Sequence, residues 1–368
     1  MSVADVHSEP SRNWLSRGDE PLLIAGPCSA ESEEQLEEVA KVLSANGKVH
    51  LIRAGVWKPR TRPNSFEGLG AKALPWITRI QSEYGIPFTV EVAKAEHVEQ
   101  ALKAGIKHLW IGARTTVNPF SVQEIADALR GVDIPVFVKN PLNPDLQLWI
   151  GAFERLNKTG IDKLVAIHRG FNTYQDHVFR NSPNWEIPIE LKTKLPDLEI
   201  IVDPSHIGGK RSLLAGVAQK AFDLGFDGLM VETHPNPDKA LSDPKQQVSL
   251  HGFDAFISQL QTRREGFEDA VSINKLQRLR DLIDEVDYIL LEQLAKRNQI
   301  VKEIGEYKAD SGVAIFQLER WIEILKDRQQ YGETGGLDEQ LIRDIWKAIH
   351  NASIRLQTEI VQKHKLDA

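Results

Sequence analysis

Two short apolar, β-branched runs, residues 200–202 and 229–231, each stop abruptly on groups that can bind metal or move protons. The first ends in Asp203, Ser205 and His206, the second in Glu232 and His234, with Asp243 on the loop beyond. Cys28 follows a similar run at 22–25 and joins His206, Glu232 and Asp243 as a fourth candidate ligand. A Cys, a His and two carboxylates mix soft and hard donors, a set that suits Mn, Fe, Co or Zn. Cations stand at equivalent points: Arg53, Lys58 and Arg60 after the second run, then Arg114, Lys139 and Arg169. So many positive groups in one place repel one another unless an anion sits among them. Phosphate and carboxylate are the anions that paired Arg hydrogen bonds recognise.

The elements that must position these groups alternate along the chain. Apolar runs fall at 22–25, 49–52, 88–92, 109–111, 136–138, 164–167, 200–202 and 229–231, with helical stretches at 32–45, 71–84, 95–104, 121–129, 145–156, 212–224 and 244–260. Eight strands, each delivering polar groups at its carboxyl end, predict an α/β chain folded as a (β/α)8 TIM barrel whose active face gathers those ends. A doubly wound open sheet would carry a glycine-rich fingerprint after its first strand, and here that turn reads GPCSAES. Residues 1–20 are polar and read as a loose N-terminal arm, 21–262 as the barrel, and the polar stretch 263–272 as a linker to a separate all-α domain over 273–368.

That last region changes periodicity. From 273 to about 308 it reads as one long helix, with a stripe spaced by seven at Leu276, Ile283, Leu290, Arg297 and Ile304. Lys308 lies three turns beyond Arg297 on nearly the same face. A cation in a bundle core is costly unless an anion meets it, so two on one stripe point to an anionic pocket between helices. Further helices fall at 316–331 and 338–364, on either side of a GETGG turn.

Composition narrows the class. The chain has 368 residues, 41% apolar and 26% charged, with a net charge of −7. The acidic balance argues against a general nucleic-acid partner, and no run approaches the ~20 apolar residues that span a bilayer. The N-terminus has no secretory pattern, and a single cysteine fits a reducing compartment; a cytoplasmic enzyme is expected.

GPCS, RAGVWKPRT with PNSFEG behind it, IGAR, VKN, HRG, DPSH and ETHPNPDKALSDP occur in this order over residues 20–262. Together they resemble the 3-deoxy-arabino-heptulosonate 7-phosphate (DAHP) synthases of the compact microbial subgroup. The resemblance implies a metal-dependent condensation of phosphoenolpyruvate with erythrose 4-phosphate at the entry to aromatic biosynthesis. It also implies that Cys28, His206, Glu232 and Asp243 hold the divalent metal, Mn foremost, with Fe, Co or Zn as alternatives. Arg53, Lys58, Arg114, Lys139 and Arg169 match the phosphoenolpyruvate site, and Arg60 and Thr61 of KPRT the erythrose 4-phosphate site. Lys58 is the candidate for proton handling. The sibling octulosonate 8-phosphate synthases share the barrel, but KPRT favours the four-carbon sugar.

The run LRDLIDEVDYILLEQLAKRNQIVKEIGEYK resembles the first helix of the all-helical chorismate mutases. The carry-over implies a chorismate site of Arg280, Arg297, Lys308, Arg320, Ser353 and Gln357, with Lys308 and Gln357 stabilising charge on the ether oxygen. It also implies a homodimer in which Arg280 serves the partner's pocket. Two positions depart: where the family carries Asp and Glu on the second helix, this chain has Gln317 and Trp321. Trp321 cannot replace a carboxylate that holds the substrate hydroxyl. The expectation is therefore a bifunctional enzyme, its synthase controlled by chorismate or prephenate in the helical pocket. The alternative keeps the synthase and makes the tail chiefly a dimerising ligand sensor.

Overall fold

The computed structural model describes residues 6–15, 17–58, 66–172, 178–263, 266 and 270–367. It divides into two units, Met1–Glu265 and Gly266–Ala368.

The first unit is a closed parallel barrel. Strands β1 (Leu22–Gly26), β2 (Leu51–Ala54), β3 (Phe88–Val92), β4 (His108–Ile111), β5 (Val136–Lys139), β6 (Leu164–His168), β7 (Glu199–Val202) and β8 (Gly228–His234) pair in sequence order, and β8 closes on β1. All eight expected runs are strands. They read as unbroken apolar stretches because each is buried on both faces. Inside the ring, Leu22, Ile24, Leu51, Trp110, Phe137, Val165, Ile167, Ile201 and Met230 form one cluster. The alternate residues face the surrounding helices in a larger core.

Those helices are α1 (Glu33–Asn46), α2 (Leu74–Tyr84), α3 (Ala95–Lys103), α4 (Ala113–Thr116), α5 (Pro119–Ala128), α6 (Leu146–Lys158), α7 (Glu186–Lys194), α8 (Pro204–Gly208), α9 (Arg211–Asp223) and α10 (Leu250–Ser258). Local chemistry sets their ends. Ser32 accepts the Gln35 amide to start α1, Asp145 accepts the Leu148 amide to start α6, and Asn118 caps α5 ahead of Pro119.

Several differences from the sequence reading have physical causes. The stretch 244–260 is not one helix: α10 begins only at Leu250, because Val248–Ser249 forms a ninth strand, β9, on β8. Gln246 and Gln247 just before it turn their side chains into the barrel mouth, where both are buried. Helix α7 is present where none was expected, its apolar spacing being interrupted by Pro188.

The described residues of the polar N-terminal stretch are anchored to the barrel. Ser8 Oγ donates to Leu164 O at 3.0 Å, the Glu9 amide to Asp162 O at 2.7 Å and the Ser11 amide to Glu199 Oε2 at 2.7 Å. Arg17 pairs with the same Glu199, and Trp14 meets Phe137 edge-on at 6.1 Å. Trp14 and Leu15 thus close the apolar interior at the amino ends of the strands.

The second unit holds α11 (Ala270–Ser311), α12 (Leu318–Thr334) and α13 (Glu339–Asp367). Helix α11 starts within the stretch expected as linker. Helix α13 packs on both others, and glycine permits close approach: a Cβ on Gly305 would lie 2.9 Å from Ile360 Cδ1, and one on Gly332 2.7 Å from Ile342 Cγ1. Among the described residues of this unit, Val301 and Ile342 are the buried large apolar side chains.

Candidate active site

Strand alternation decides which groups reach the barrel mouth. Leu51, Phe137 and Met230 point inward, so two residues later Arg53, Lys139 and Glu232 point inward too. Thr89 and Glu91 occupy the inner face of β3 by the same parity, since Phe88, Val90 and Val92 belong to the outer core. Arg53, fully buried, lies with its guanidinium carbon 5.2 Å from the Trp110 ring centroid, on top of the apolar interior.

A dense charge network sits on this floor. Arg53 Nη2 is 3.1 Å from Glu232 Oε1 and Nη1 is 3.7 Å from Asp203 Oδ2; both are ion-pair contacts without hydrogen-bond alignment. Lys139 Nζ donates to Asp203 Oδ2 at 2.8 Å. Asp203 also caps α8 by accepting the His206 amide at 3.0 Å, and its Oδ2 lies 2.7 Å from His206 Nδ1. Burial alone would push the Asp203 carboxyl up, but His206, Lys139 and Arg53 hold it well below the usual carboxylate range. Lys139 moves the other way from what its partner suggests: burial, helped by Arg53, lowers its ammonium despite Asp203. The 2.8 Å contact to a carboxylate held that acidic makes this a charged pair.

The wall beside His206 carries the other expected ligands. His206 Nε2 faces Glu232 Oε1 at 3.7 Å. Cys28 Sγ donates to Asp243 Oδ2 at 3.3 Å. Asp243 has φ of +47°, a left-handed conformation that Asp tolerates better than most residues. Arg180 Nη1 donates to Asp243 Oδ1 at 2.9 Å and to Gln246 Oε1 at 2.6 Å, and Gln246 Nε2 donates to Glu232 Oε2 at 2.6 Å. Burial and the Glu232 charge push the Cys28 thiol up to about 12.

Among the described residues, no three of these groups stand in ready metal-binding geometry. The chemistry of the set nevertheless fits a divalent ion. Glu232 Oε1 is buried without a hydrogen bond. His206 Nδ1 is turned to a carboxylate, which leaves Nε2 toward Glu232, the arrangement by which metal-bound histidines are oriented.

The cavity above is lined by Lys58, Glu91, Arg114, Lys139, Arg169, Arg180, His206 and Asp243, with Ala113 and Leu142. Lys58 Nζ is 3.9 Å from Glu91 Oε2. Arg169 is fixed through Nη1 to Asn181 Oδ1 at 2.9 Å and through its amide to Asn140 Oδ1 at 2.7 Å. Glycine keeps this space open: a Cβ on Gly112 would sit 2.0 Å from Glu91 Oε1, and one on Gly55 2.5 Å from Lys58 Cε. Of the expected residues, Lys58, Arg114, Lys139, Arg169, His206 and Asp243 line the cavity, Arg53 and Glu232 lie beneath it, and Cys28 stands beside Asp243. Arg60 and Thr61 lie outside the described residues. Asp203, read from the sequence as a strand-end group, forms the floor with Arg53 and Glu232, and Glu91, Arg180 and Gln246 are additions. Asp203 and Glu91 carry the strand-end signal, whereas Arg180 and Gln246 sit in loops whose sequence gives no sign of what they meet.

In the helical unit Arg297 Nη1 donates to Ser353 Oγ at 2.7 Å, and Lys308 Nζ to Ile315 O at 2.7 Å. Burial, reinforced by Arg328, lowers the Arg297 guanidinium, and burial lowers the Lys308 ammonium. Gln357 is buried and its Oε1 has no partner among the described residues. Arg280 is exposed, and Arg320, also exposed, pairs with Glu323 at 2.6 Å. Trp321 stacks on His350.

The buried thiol gives a direct check on the mouth. In the folded, metal-free protein at pH 8, Cys28 should resist Ellman's reagent and react fully only in denaturant. Immediate labelling of the native chain would contradict its burial and its raised pKa.

The chain matches the DAHP synthetase I family over residues 7–268 and chorismate mutase type II over residues 279–358. It is 34% identical over 239 residues to a phospho-2-dehydro-3-deoxyheptonate aldolase of Thermotoga maritima, covering 65% of this chain and 68% of the relative. A 2-dehydro-3-deoxyphosphooctonate aldolase of Desulfotalea psychrophila is 26% identical over 285 residues, covering 73% of this chain and 98% of the relative. The crystal structure of the Thermotoga DAHP synthase superposes with a TM-score of 0.59 at 30% identity, covering 66% of this chain and 68% of that one. A truncated form of the Thermotoga enzyme gives 0.57 at 28% identity, covering 66% and 86%. With its eight-stranded barrel and the helical unit that follows it in sequence, the chain belongs to the DAHP synthetase I family and joins to that synthase a chorismate mutase of type II.

Proposed function

We propose that the barrel condenses phosphoenolpyruvate with erythrose 4-phosphate using a divalent metal held by Cys28, His206, Glu232 and Asp243. The observation that carries this reading is the cationic cavity over the buried Asp203–Glu232 floor. Phosphoenolpyruvate brings a phosphate and a carboxylate, and Arg53, Lys58, Arg114, Lys139 and Arg169 offset their mutual repulsion. Arg60 and Thr61 are assigned to the phosphate end of the aldehyde. In the reaction the enol carbon bonds to the aldehyde carbon, water adds at the neighbouring carbon, and inorganic phosphate leaves. The metal would supply Lewis-acid polarisation of the aldehyde, with Mn the first candidate and Fe, Co or Zn the others.

The chain's own residues do the rest. Arg169, held by Asn140 and Asn181, has little freedom to turn away from the cavity, so its guanidinium is preorganised for an anion. Lys58 is assigned the local proton handling, which the reaction needs at the aldehyde oxygen and at the water that adds, with Glu91 at 3.9 Å orienting it. Lys58→Met should therefore cut synthase turnover by about a hundredfold or more while phosphoenolpyruvate still binds, as read by calorimetry. Unchanged turnover would remove Lys58 from this role.

For the helical unit, Arg297, Lys308, Arg320, Ser353 and Gln357 would hold chorismate in its reactive conformer, with Arg280 reaching the partner's pocket. Rearrangement to prephenate needs no cofactor, and clamping both carboxylates supplies the positioning. A homodimer is supported by the apolar stripe of α11: Ile283, Leu290 and Ile304 are 60%, 55% and 43% exposed in the single chain. An unpaired stripe of this kind is what coiled association buries. We assign feedback on the synthase to chorismate or prephenate in this pocket. One preparation tests both ideas: it should sediment as at least a dimer and lose synthase rate in saturating prephenate. A monomer, or rates unchanged at every substrate level, would contradict them respectively.

A further inference from the structure

Chorismate carries two carboxylates, an ether oxygen and one ring hydroxyl. The cations Arg297 and Lys308 suit the charged groups, but the hydroxyl calls for a partner that can accept its hydrogen bond. On α12 Trp321 stands where the resemblance implies a carboxylate, and it offers no acceptor.

The ring beneath it does. Trp321 lies over His350 with centroids 3.9 Å apart and planes 18° from parallel, and Phe316 meets the same imidazole edge-on at 5.8 Å. His350, Ser353 and Gln357 follow one another on α13 at spacings of three and four, so they share a face. That face is the one on which Ser353 receives Arg297. The Nε2 atom of His350 is buried and has no hydrogen-bond partner among the described residues; Gln357 Oε1 on the same face is in the same position. Native proteins rarely bury polar atoms unpaired, and such atoms point to a missing partner. Burial, reinforced by the Arg297 charge, lowers the imidazolium, which leaves the ring neutral near pH 7. A neutral imidazole nitrogen donates or accepts according to its tautomer.

We propose that His350 Nε2 is the hydrogen-bond partner of the ring hydroxyl of chorismate, with Trp321 and Phe316 clamping the imidazole in place. The proposal deepens the mutase reading: the aromatic residue that displaces a carboxylate from α12 also positions its substitute on α13. His350 would touch substrate, and Trp321 would act through it as a positioning residue.

The test uses the full-length chain and two substitutions. His350→Phe keeps the stack and removes both nitrogens, whereas His350→Gln keeps a nitrogen or oxygen near the Nε2 position. His350→Phe should lower mutase kcat/KM by about tenfold, the size of a lost neutral hydrogen bond, with helical ellipticity and synthase rate unchanged. His350→Gln should stay within about threefold of the parent. Parent-like kcat/KM in His350→Phe would overturn the proposal. So would an equal loss in both variants, because the ring would then matter for packing and not for its nitrogen. A parent chain without chorismate turnover would remove the mutase reading itself, and the proposal with it.

Discussion

The structure depends on a carboxylate that should not tolerate its position. Asp203 is fully buried at the carboxyl end of β7, where an isolated charge would cost several kcal/mol. It persists because Arg53, Lys139 and His206 all converge on it. Glu232, equally buried, compensates Arg53 from the other side. Each of these charges is tolerable only because the others are present, so the floor of the mouth behaves as one unit. An anionic substrate placed above it meets cations whose counter-charges are already fixed beneath.

The barrel makes such a floor possible by parity and by closure. Inward residues of parallel strands stack in layers, and the layer above Trp110 is polar because each strand ends there. At the opposite end Trp14 and Leu15 close the same interior, held by hydrogen bonds to β6 and β7. The apolar centre is thereby kept from water on one side while the other side is free for chemistry. The helical unit solves the inverse problem. It buries few large apolar side chains of its own and leaves its main stripe open, so its core is incomplete in a single chain.

Much of this is legible in the sequence, because parallel strands buried on both faces are continuous apolar runs and their carboxyl ends are marked by charge. The barrel, and the long helix with Arg297 and Lys308 on its stripe, follow from such periodic signals. What periodicity cannot show is pairing across the fold. Arg180 reaches Asp243 across 63 residues and Gln246 turns into Glu232 from a stretch that resembles a helix. The N-terminal arm reads as loose because its anchors, Glu199 and Asp162, lie far along the chain. Trp321 appears in sequence only as a lost carboxylate, since the imidazole beneath it belongs to another helix.

The measurement that bears most directly on the account is the metal requirement of the barrel. The protein would be stripped with chelator and phosphoenolpyruvate loss followed with erythrose 4-phosphate present, before and after adding Mn²⁺. The charge network and its neighbouring Cys28, His206, Glu232 and Asp243 predict consumption that depends on the aldehyde and returns with the metal. No consumption with Mn, Fe, Co or Zn would contradict the central claim and leave the cationic mouth without the chemistry assigned to it.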